Sequence, residues 1–340
     1  MSASWLTFPP PALSNVVRYS RDNGSIYAGR GSAYGNPFPM HDESERDAVV
    51  SAFRSWLEHQ PELLRAVRLL LPGKTLGCFC APKACHCDVL SEVTAGLWDD
   101  RIPDEPVFVF GSNEAGRHGK GAALAAKREY GAKVGVIRGM TGNAYALPTK
   151  DAQLECLPLG RVIDELGAFF DLACATPGTS YRLTRVGCGL AGLPEEDVRD
   201  YVLEHAPDNV LLPGVWEAVR TPGLARVIVA GSRTVDDYQR LADNLDRILS
   251  QLRNVEIVSG GARGADALGE RYAIERGLKL RRMPALWEIF QKLSGPIRNA
   301  RMSWYGTHLA AFWDGESSGT RNMIETGRLD GLRSRVLSAA

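Results

Sequence analysis

The chain has 340 residues, 44% of them hydrophobic, which is enough for two or three domains with cores of their own. Lys plus Arg and Asp plus Glu each number 40, and this balance argues against binding of nucleic acid through bulk positive charge. The sequence has no apolar run of membrane-spanning length and no hydrophobic signal segment at its start, so we expect a cytoplasmic protein with no membrane partner.

Two polar, proline-containing segments divide the chain, 98–106 (WDDRIPDEP) and 219–225 (VRTPGLA). Strand-like apolar runs alternate with helical periodicities on either side of them. This pattern predicts an α/β fold with three domains, over residues 1–98, 104–218 and 225–340. Each domain contains a glycine-rich segment. Because glycine lets peptide N–H groups approach a phosphate, three such segments indicate modules that handle nucleotides.

In the first domain a strand is predicted at 16–19, followed by the loop GRGSAYGNPF at 29–38. Helices are predicted over 43–60 and from Pro61 onward, and a short buried strand over 76–80. Within the loop, Arg30 and Asn36 are candidates for binding an anion or the edge of a base.

A compact group of cysteines lies in the segment 77–88, GCFCAPKACHCD. Three thiols and an imidazole can hold zinc, and the candidate ligands are Cys78, Cys80, Cys85 and His86. On the strand predicted over 76–80, Cys78 and Cys80 share one face and Phe79 takes the other. The spacing is compact for one tetrahedral ion, so the favoured interpretation is a catalytic or substrate-binding site at Cys85, His86 and Asp88, followed by buried packing and then by zinc. Zinc is the one cofactor that the sequence suggests.

The loop and the cysteine segment together resemble a small bacterial and phage family of unknown function. Its members share the GRGS and GNPF sequences and a C-x-C-x-P-x-x-C-H-x-D pattern. In that family glycine usually follows the histidine, where this chain has Cys87.

In the middle domain a strand over 107–110 runs into the loop GSNEAGRHGKGA at 111–122, and an alanine-rich helix follows. Strands are predicted at 133–137, 145–147, 182–186 and 210–212, with a helix over 159–173. A second glycine loop, VGCGLAGL, occupies 186–193. The pair of loops suits a diphosphate with a ribose between them, which gives the ligand-binding candidates Gly111, Ser112, Asn113, Gly119, Gly121, Gly187, Gly189 and Leu190.

This region, 107–216, resembles a macro domain of the phage and bacterial variety, with GSNxAGRHGxGAA and YALPTKD sequences. The resemblance implies a pocket shaped for ADP-ribose. It also implies that Lys150 acts either as a nucleophile at the ribose or as a phosphate contact. The aspartate that assists in some macro domains is replaced here by Ala191.

The last domain has the most regular pattern, with strands predicted at 227–230, 255–258, 279–283 and 309–312 and helices at 238–252 and 265–276. We interpret it as a Rossmann-like doubly wound sheet, in which ligands bind beyond the carboxyl ends of the strands. Glycine, hydroxyl and basic residues follow those strands. The ligand-binding candidates are Gly231, Ser232, Arg233, Gly260, Gly261, Arg263, Asp266, Arg298, Asn299, Gly319 and Thr320.

The sequences GSR, VSGGARGAD, GPIRN and WDGESSGT resemble the YspA-like branch of the SLOG superfamily, relatives of the DprA and LOG proteins. The resemblance covers residues 226–327 and implies binding of nucleotides or of signals derived from them. LOG enzymes hydrolyse N-glycosidic bonds with a glutamate three residues after a Gly-Thr pair. That place holds Met323 here, with Glu325 two residues later, which favours binding over hydrolysis.

Together these features predict a protein that binds nucleotides or ligands related to ADP-ribose and NAD. Hydrolytic cleavage of an N- or O-glycosidic bond is a candidate activity, which the sequence leaves open. The expected partners are such a small molecule or an ADP-ribosylated macromolecule, in phage–host conflict, phage defence or nucleobase modification. The first alternative is a non-catalytic sensor or sponge for a signalling nucleotide. The second is a DNA-handling protein similar to DprA. Sheets of the SLOG type often pair, so we expect a homo-oligomer.

Overall fold

The computed structural model describes residues 13–97 and 105–339. The chain divides into two compact units, Met1–Tyr181 and Arg182–Ala340. Most of the first predicted linker lies outside the described residues, and the division into three domains stays a prediction. In the part of the chain that the structure covers, no helix is both long and apolar enough to span a membrane.

The N-terminal region is a small parallel sheet covered by helices. Its elements are β1 (Asn15–Arg18), β2 (Ile26–Tyr27), α1 (Arg46–Glu58), α2 (Pro61–Leu70), β3 (Thr75–Cys78) and α3 (His86–Thr94). The strand order is β1-β3-β2, with both pairs parallel. Phe53, Leu57 and Leu76 are fully buried in its core. The predicted strand at 76–80 ends early, at Cys78, and Cys80 lies in the turn beyond it.

The middle region begins with β4 (Val107–Asn113), α4 (Gly121–Glu129), β5 (Gly139–Thr141), β6 (Ala144–Lys150) and α5 (Leu159–Ala175). It continues with β7 (Tyr181–Leu183), α6 (Glu195–His205), β8 (Val210–Leu211) and α7 (Gly214–Arg220). The sheet has the order β5-β6-β4-β7-β8. Strands β4 and β6 are parallel, whereas β5 and β6 form an antiparallel pair.

The prediction of a strand at 133–137 was wrong, because this segment contains a turn and no strand. Gly135 takes a φ of +94°, a conformation that a β-strand does not use, and its N–H donates to the carbonyl of Gly116. The apolar side chains of Val134 and Ile137 are exposed instead of buried in a sheet.

The C-terminal region is a five-stranded, fully parallel sheet. Its elements are β9 (Ala225–Gly231), α8 (Tyr238–Leu249), β10 (Val255–Ser259), α9 (Ala265–Glu275), β11 (Lys279–Arg282), α10 (Trp287–Phe290), α11 (Ser294–Tyr305), β12 (His308–Trp313), α12 (Ser318–Leu329) and β13 (Arg333–Ser338). The order β11-β10-β9-β12-β13 reverses direction between β9 and β12. This is the Rossmann-like topology that the sequence predicted, and the reversal is where such sheets bind ligands.

Both faces of this sheet are covered. Along β9, Val227 and Val229 pack in one hydrophobic cluster, while Ile228 and Ala230 pack in another, because successive side chains of a strand point to opposite faces. The outer strands are more polar and more exposed. Strand β11 carries Lys279, Arg281 and Arg282, and β13, which the sequence did not predict, carries Arg333 and Arg335.

Candidate functional sites

The loops that follow β9, β10 and β12 are joined at the carboxyl edge of the C-terminal sheet. Ser232 accepts a hydrogen bond from the Asp314 N–H at its side-chain oxygen (3.2 Å) and one from the Ala265 N–H at its carbonyl (3.4 Å). Gly264 has a φ of +76°, and a Cβ there would lie 2.3 Å from the Ser232 carbonyl oxygen. The three loops thus converge, and a larger residue at Gly264 would require the backbone to shift.

A buried ion pair lies beneath these loops. The Asp266 carboxylate is 3% exposed and lies 3.4 Å from Nη1 of Arg298, which is on α11. It also accepts hydrogen bonds from the peptide N–H groups of Ala262 (3.3 Å) and Gly260. Burial raises the pKa of Asp266, although Arg298 and the peptide groups oppose that shift. Asp266 therefore stabilises the glycine loop from within.

Some of the predicted donors are used by the protein itself. The Gly261 N–H donates to the Ser259 hydroxyl oxygen at 3.0 Å, so neither Gly260 nor Gly261 has a free peptide donor. The N–H groups of Arg263 and Gly264, at the start of α9, make no hydrogen bond to any residue that the structure describes. The free donors of this segment thus lie a few residues later than the glycine pair.

Helix α12 presents a second set of donors. Asp314 accepts from the N–H groups of Glu316 and Ser317, and Ser317 caps the helix by accepting from the Thr320 N–H at 3.4 Å. The N–H groups of Ser318 and Gly319 have no acceptor among the residues described. Thr320 is buried and bonds to Ser317. Asn299, also buried, donates to the Gly319 carbonyl and to Asn322.

Two arginine side chains at this edge are exposed and have no partner in the described part of the chain. Neither Arg233 nor Arg263 forms an ion pair or hydrogen bond through its guanidinium with any described residue. The third, Arg298, is mostly buried, and its Nε has no hydrogen-bond partner in the part of the chain that the structure covers. Arg233 is close enough to Arg298 to contribute to the lowered pKa of that guanidinium, after the larger effect of burial. The edge therefore presents two exposed guanidinium groups, alongside the exposed carboxylate of Asp314.

The position that holds a catalytic glutamate in LOG enzymes has no carboxylate here. Met323 is 1% exposed and packs in the hydrophobic cluster beneath β9 and β12. Glu325 lies two residues further along α12 and is exposed, because two residues turn a helix by about 200°.

In the middle region, the loop after β4 is held by its own side chains. Asn113 accepts from the Arg117 N–H (2.9 Å) and donates to the Arg117 carbonyl (2.6 Å), while Ser112 donates to the Ile137 carbonyl. Both polar ends of the Asn113 amide are thus used within the loop. By contrast, the peptide N–H groups of Gly119 and Gly121, at the start of α4, have no partner in the described parts of this unit.

Lys150 ends β6, is half-buried and donates from Nζ to the Leu154 carbonyl at 3.0 Å. Gly187, Gly189 and Leu190 lie in the other compact unit, where Leu193 N–H donates to the Gly187 carbonyl at 2.9 Å and closes a tight turn. Leu190 is exposed at the tip of this turn.

In the N-terminal loop, Arg30 and Asn36 serve the loop itself. Arg30 donates to the Phe38 carbonyl at 3.2 Å. The buried Asn36 accepts from the Phe38 N–H (2.9 Å) and donates to the Val49 carbonyl (3.3 Å). Both polar ends of the Asn36 amide are thus used in hydrogen bonds within the domain, and a structural role in holding the loop is sufficient to explain them. Recognition of a base by Asn36 stays a prediction.

The structure gathers four sulfur and nitrogen ligands at the start of α3. Side-chain atoms of Cys78, Cys85, His86 and Cys87 lie within 4.8 Å of one another, and all four residues are buried. The predicted set contained Cys80 in place of Cys87. Cys80 is half-buried and outside the group, because β3 ends before it. Asp88 caps the helix by accepting from the Cys85 N–H at 2.7 Å.

Comparison with known proteins assigns both ends of the chain. Residues 15–96 match the family described as "Domain of unknown function (DUF4326)", and residues 225–290 match the "YspA, cpYpsA-related SLOG family". The C-terminal region is thus a SLOG-type module, and the N-terminal region is a domain of the first family.

Two phage proteins are similar over shorter stretches. The "Gene 61 protein" of Mycobacterium phage D29 is 33% identical over 121 residues, which are 32% of this chain and 93% of that protein. The chain therefore belongs to the family of that phage protein. The "Uncharacterized 12.4 kDa protein in nrdA-td intergenic region" of Enterobacteria phage T4 is 29% identical over 91 residues, 26% of this chain and 83% of that protein.

Among solved structures, DNA processing protein A (DprA) from Streptococcus pneumoniae is similar at 18% identity and a TM-score of 0.28. The match covers 36% of this chain and 53% of that structure, so the chain spans about half of its length.

Proposed function

We propose that the C-terminal module binds the phosphate groups of a nucleotide at the carboxyl edge of its sheet, between β9 and β12. The observation that carries this proposal is the set of unused donors there. Peptide N–H groups at the starts of α9 and α12 are unpaired among the described residues, and the exposed side chains of Arg233 and Arg263 lack an acidic partner there. Helix N-termini and guanidinium groups both favour phosphate.

An aromatic surface beside the arginines favours a nucleotide over free phosphate. The Trp287 side chain is 51% exposed, and a Cβ on Gly295 would lie 3.9 Å from its ring. Gly295 and Arg298 are three residues apart on α11 and so share a face. A base stacked on this indole would be near the phosphate donors, and such stacking contributes about 1–3 kcal/mol per base.

The same region supports binding without hydrolysis. The buried Met323 offers neither a general base nor a nucleophile, and Glu325 faces solvent on another side of α12. We infer that the C-terminal module retains its ligand, as a sensor or a sponge does.

The test is calorimetric titration of the full chain with AMP, ADP, NAD and ADP-ribose. We expect Arg263→Ala to weaken binding about 10- to 100-fold, since a hydrogen bond to a charged group is worth about 1.5–3 kcal/mol. The matched control is Arg271→Ala on α9, the helix that follows Arg263, because the Arg271 guanidinium is exposed and paired with Glu275 at 2.7 Å. Unchanged affinity in Arg263→Ala would contradict the proposal.

Binding of single-stranded DNA that weakens steeply with salt would favour the DNA-handling alternative.

A second candidate is binding of an ADP-ribose-type ligand by the middle region, with cleavage at Lys150. It is favoured by the N–H groups at the start of α4, which have no acceptor among the described residues. It is also favoured by the open space around Gly119, where an added Cβ would meet no atom within 4 Å. The titration with ADP-ribose addresses this candidate too. Loss of product with Lys150→Ala, but not with the exposed Lys127→Ala, would support cleavage, and loss of affinity alone would support a phosphate contact.

A further inference from the structure

The buried cysteines and histidine of the N-terminal domain form a closed group rather than a cleft. Cys78, Cys85, His86 and Cys87 are each at most 5% exposed, and their ligand atoms lie within 4.8 Å of one another. In a tetrahedral zinc site with bonds of about 2.3 Å, sulfur atoms lie about 3.8 Å apart. The group is thus near the size of a coordination shell, and all its cysteines are free.

The backbone explains how three consecutive residues converge on one point. Cys85 is the N-cap of α3, with extended φ and ψ of −154° and 174°, whereas His86 and Cys87 begin the helix. The change of backbone conformation turns the Cys85 side chain toward those of the next two residues. Cys78 reaches the same point from the end of β3.

Neighbouring groups fix these side chains. The Cys85–Asp88 capping box holds the start of α3, and the Cys87 N–H donates to the Cys85 sulfur at 3.4 Å. His86 Nε2 lies 2.7 Å from the Ala28 carbonyl, and the ring is edge-on to Phe53 at 5.2 Å. The same ring nitrogen lies 3.7 Å from the Cys87 sulfur, so the imidazole is positioned by both the backbone and the cysteine group.

The chemistry of the set selects the ion. Thiolate and imidazole ligands favour zinc among the common divalent ions, and a fully buried set of four leaves no open position for substrate, which is typical of structural sites. We propose that the N-terminal domain binds one structural Zn²⁺ ion through Cys78, Cys85, His86 and Cys87.

The test begins with elemental analysis of the full chain purified under reducing conditions without chelator. We expect one zinc per chain and, after exchange with Co²⁺, the visible absorption of a tetrahedral thiolate site. Cys87→Ser should lower the metal content to below about a tenth of an equivalent. The matched control is Cys80→Ser, which should keep a full equivalent because Cys80 lies outside the group. Loss of metal from Cys80→Ser with retention in Cys87→Ser would overturn the ligand set.

A second measurement uses the unmodified protein and therefore tests the proposal even if the variants fail to fold. In the unmodified protein, three of the seven thiols should be protected from a thiol reagent and become reactive when a strong chelator removes zinc. Absence of zinc and of Co²⁺ binding, with the same thiols protected with and without chelator, would overturn the proposal. The cluster would then be hydrophobic packing.

Discussion

The cysteine and histidine group of the N-terminal domain and the arginine-rich edge of the C-terminal sheet differ in what they leave unsatisfied. The first turns its ligand atoms toward one another inside a core, at most 5% exposed. The second leaves guanidinium groups and peptide donors directed at solvent, without partners in the described chain. A closed group suits an ion held permanently, whereas an open one suits a ligand that arrives and leaves.

The largest expected effect on this comparison comes from Phe53, which is fully buried and contacts the His86 ring. Phe53→Ala should destabilise the N-terminal domain by about 3–5 kcal/mol, since it removes a large core side chain and leaves a cavity. Hydrogen exchange of the β3 and α3 amides during denaturant titration measures this loss. The control is Phe79→Ala in the same domain, which removes a ring that is 60% exposed and should cost far less. Equal losses would show that the cysteine group does not rest on a packed core.

Gly264 tests whether the open edge depends on the contact between its loops. Gly264→Ala places a Cβ 2.3 Å from the Ser232 carbonyl at a positive φ, so we expect a loss of more than about 1–2 kcal/mol. Thermal unfolding of the full chain should show it. Gly319→Ala is the matched control, because its Cβ meets no atom within 4 Å and alanine favours a helix by roughly 0.5–1 kcal/mol. Similar behaviour of the two variants would contradict the interlocked loops.

The smallest expected effect is the pH dependence of Asp266. Burial raises its pKa, so the stability it contributes is complete below the ordinary pKa of 3.8 and is lost as pH rises through the raised value. The unfolding free energy of the native protein minus that of Asp266→Asn should therefore fall as pH increases above 3.8. One proton limits the slope to about 1.4 kcal/mol per pH unit. A difference that grows with pH would mean that the pairing with Arg298 outweighs burial.

The strands could be predicted from the sequence where the hydrophobic pattern matches the burial of the residues. The apolar runs that became β9, β10 and β12 lie in the centre of a parallel sheet, so their residues are apolar on both faces. Strand β13 was missed because it is an edge strand with alternating charged residues. The apolar run at 133–137 led to a wrong strand prediction because its apolar side chains lie in an exposed turn.

The residues of the candidate sites could be predicted only in part, because their roles depend on the three-dimensional structure. Cysteine content predicted a candidate metal group, but the choice between Cys80 and Cys87 depends on where β3 ends and α3 begins. Likewise, glycine residues indicated a phosphate loop, but the use of the Gly260 and Gly261 N–H groups by Asp266 and Ser259 depends on long-range packing. Neither fact follows from spacing along the chain.

The two outer strands of the C-terminal sheet also limit how copies of the protein can assemble. Strand β11 carries Lys279, Arg281 and Arg282, and β13 carries Arg333 and Arg335. Edge strands have unpaired backbone groups that can recruit another chain, and basic side chains along them disfavour that pairing. Joining two such sheets edge to edge would bring these basic residues close together, although Arg281 and Arg282 are paired with Glu256 and Glu270. An oligomer of this protein is therefore expected to form through helical surfaces and not by extension of the sheet.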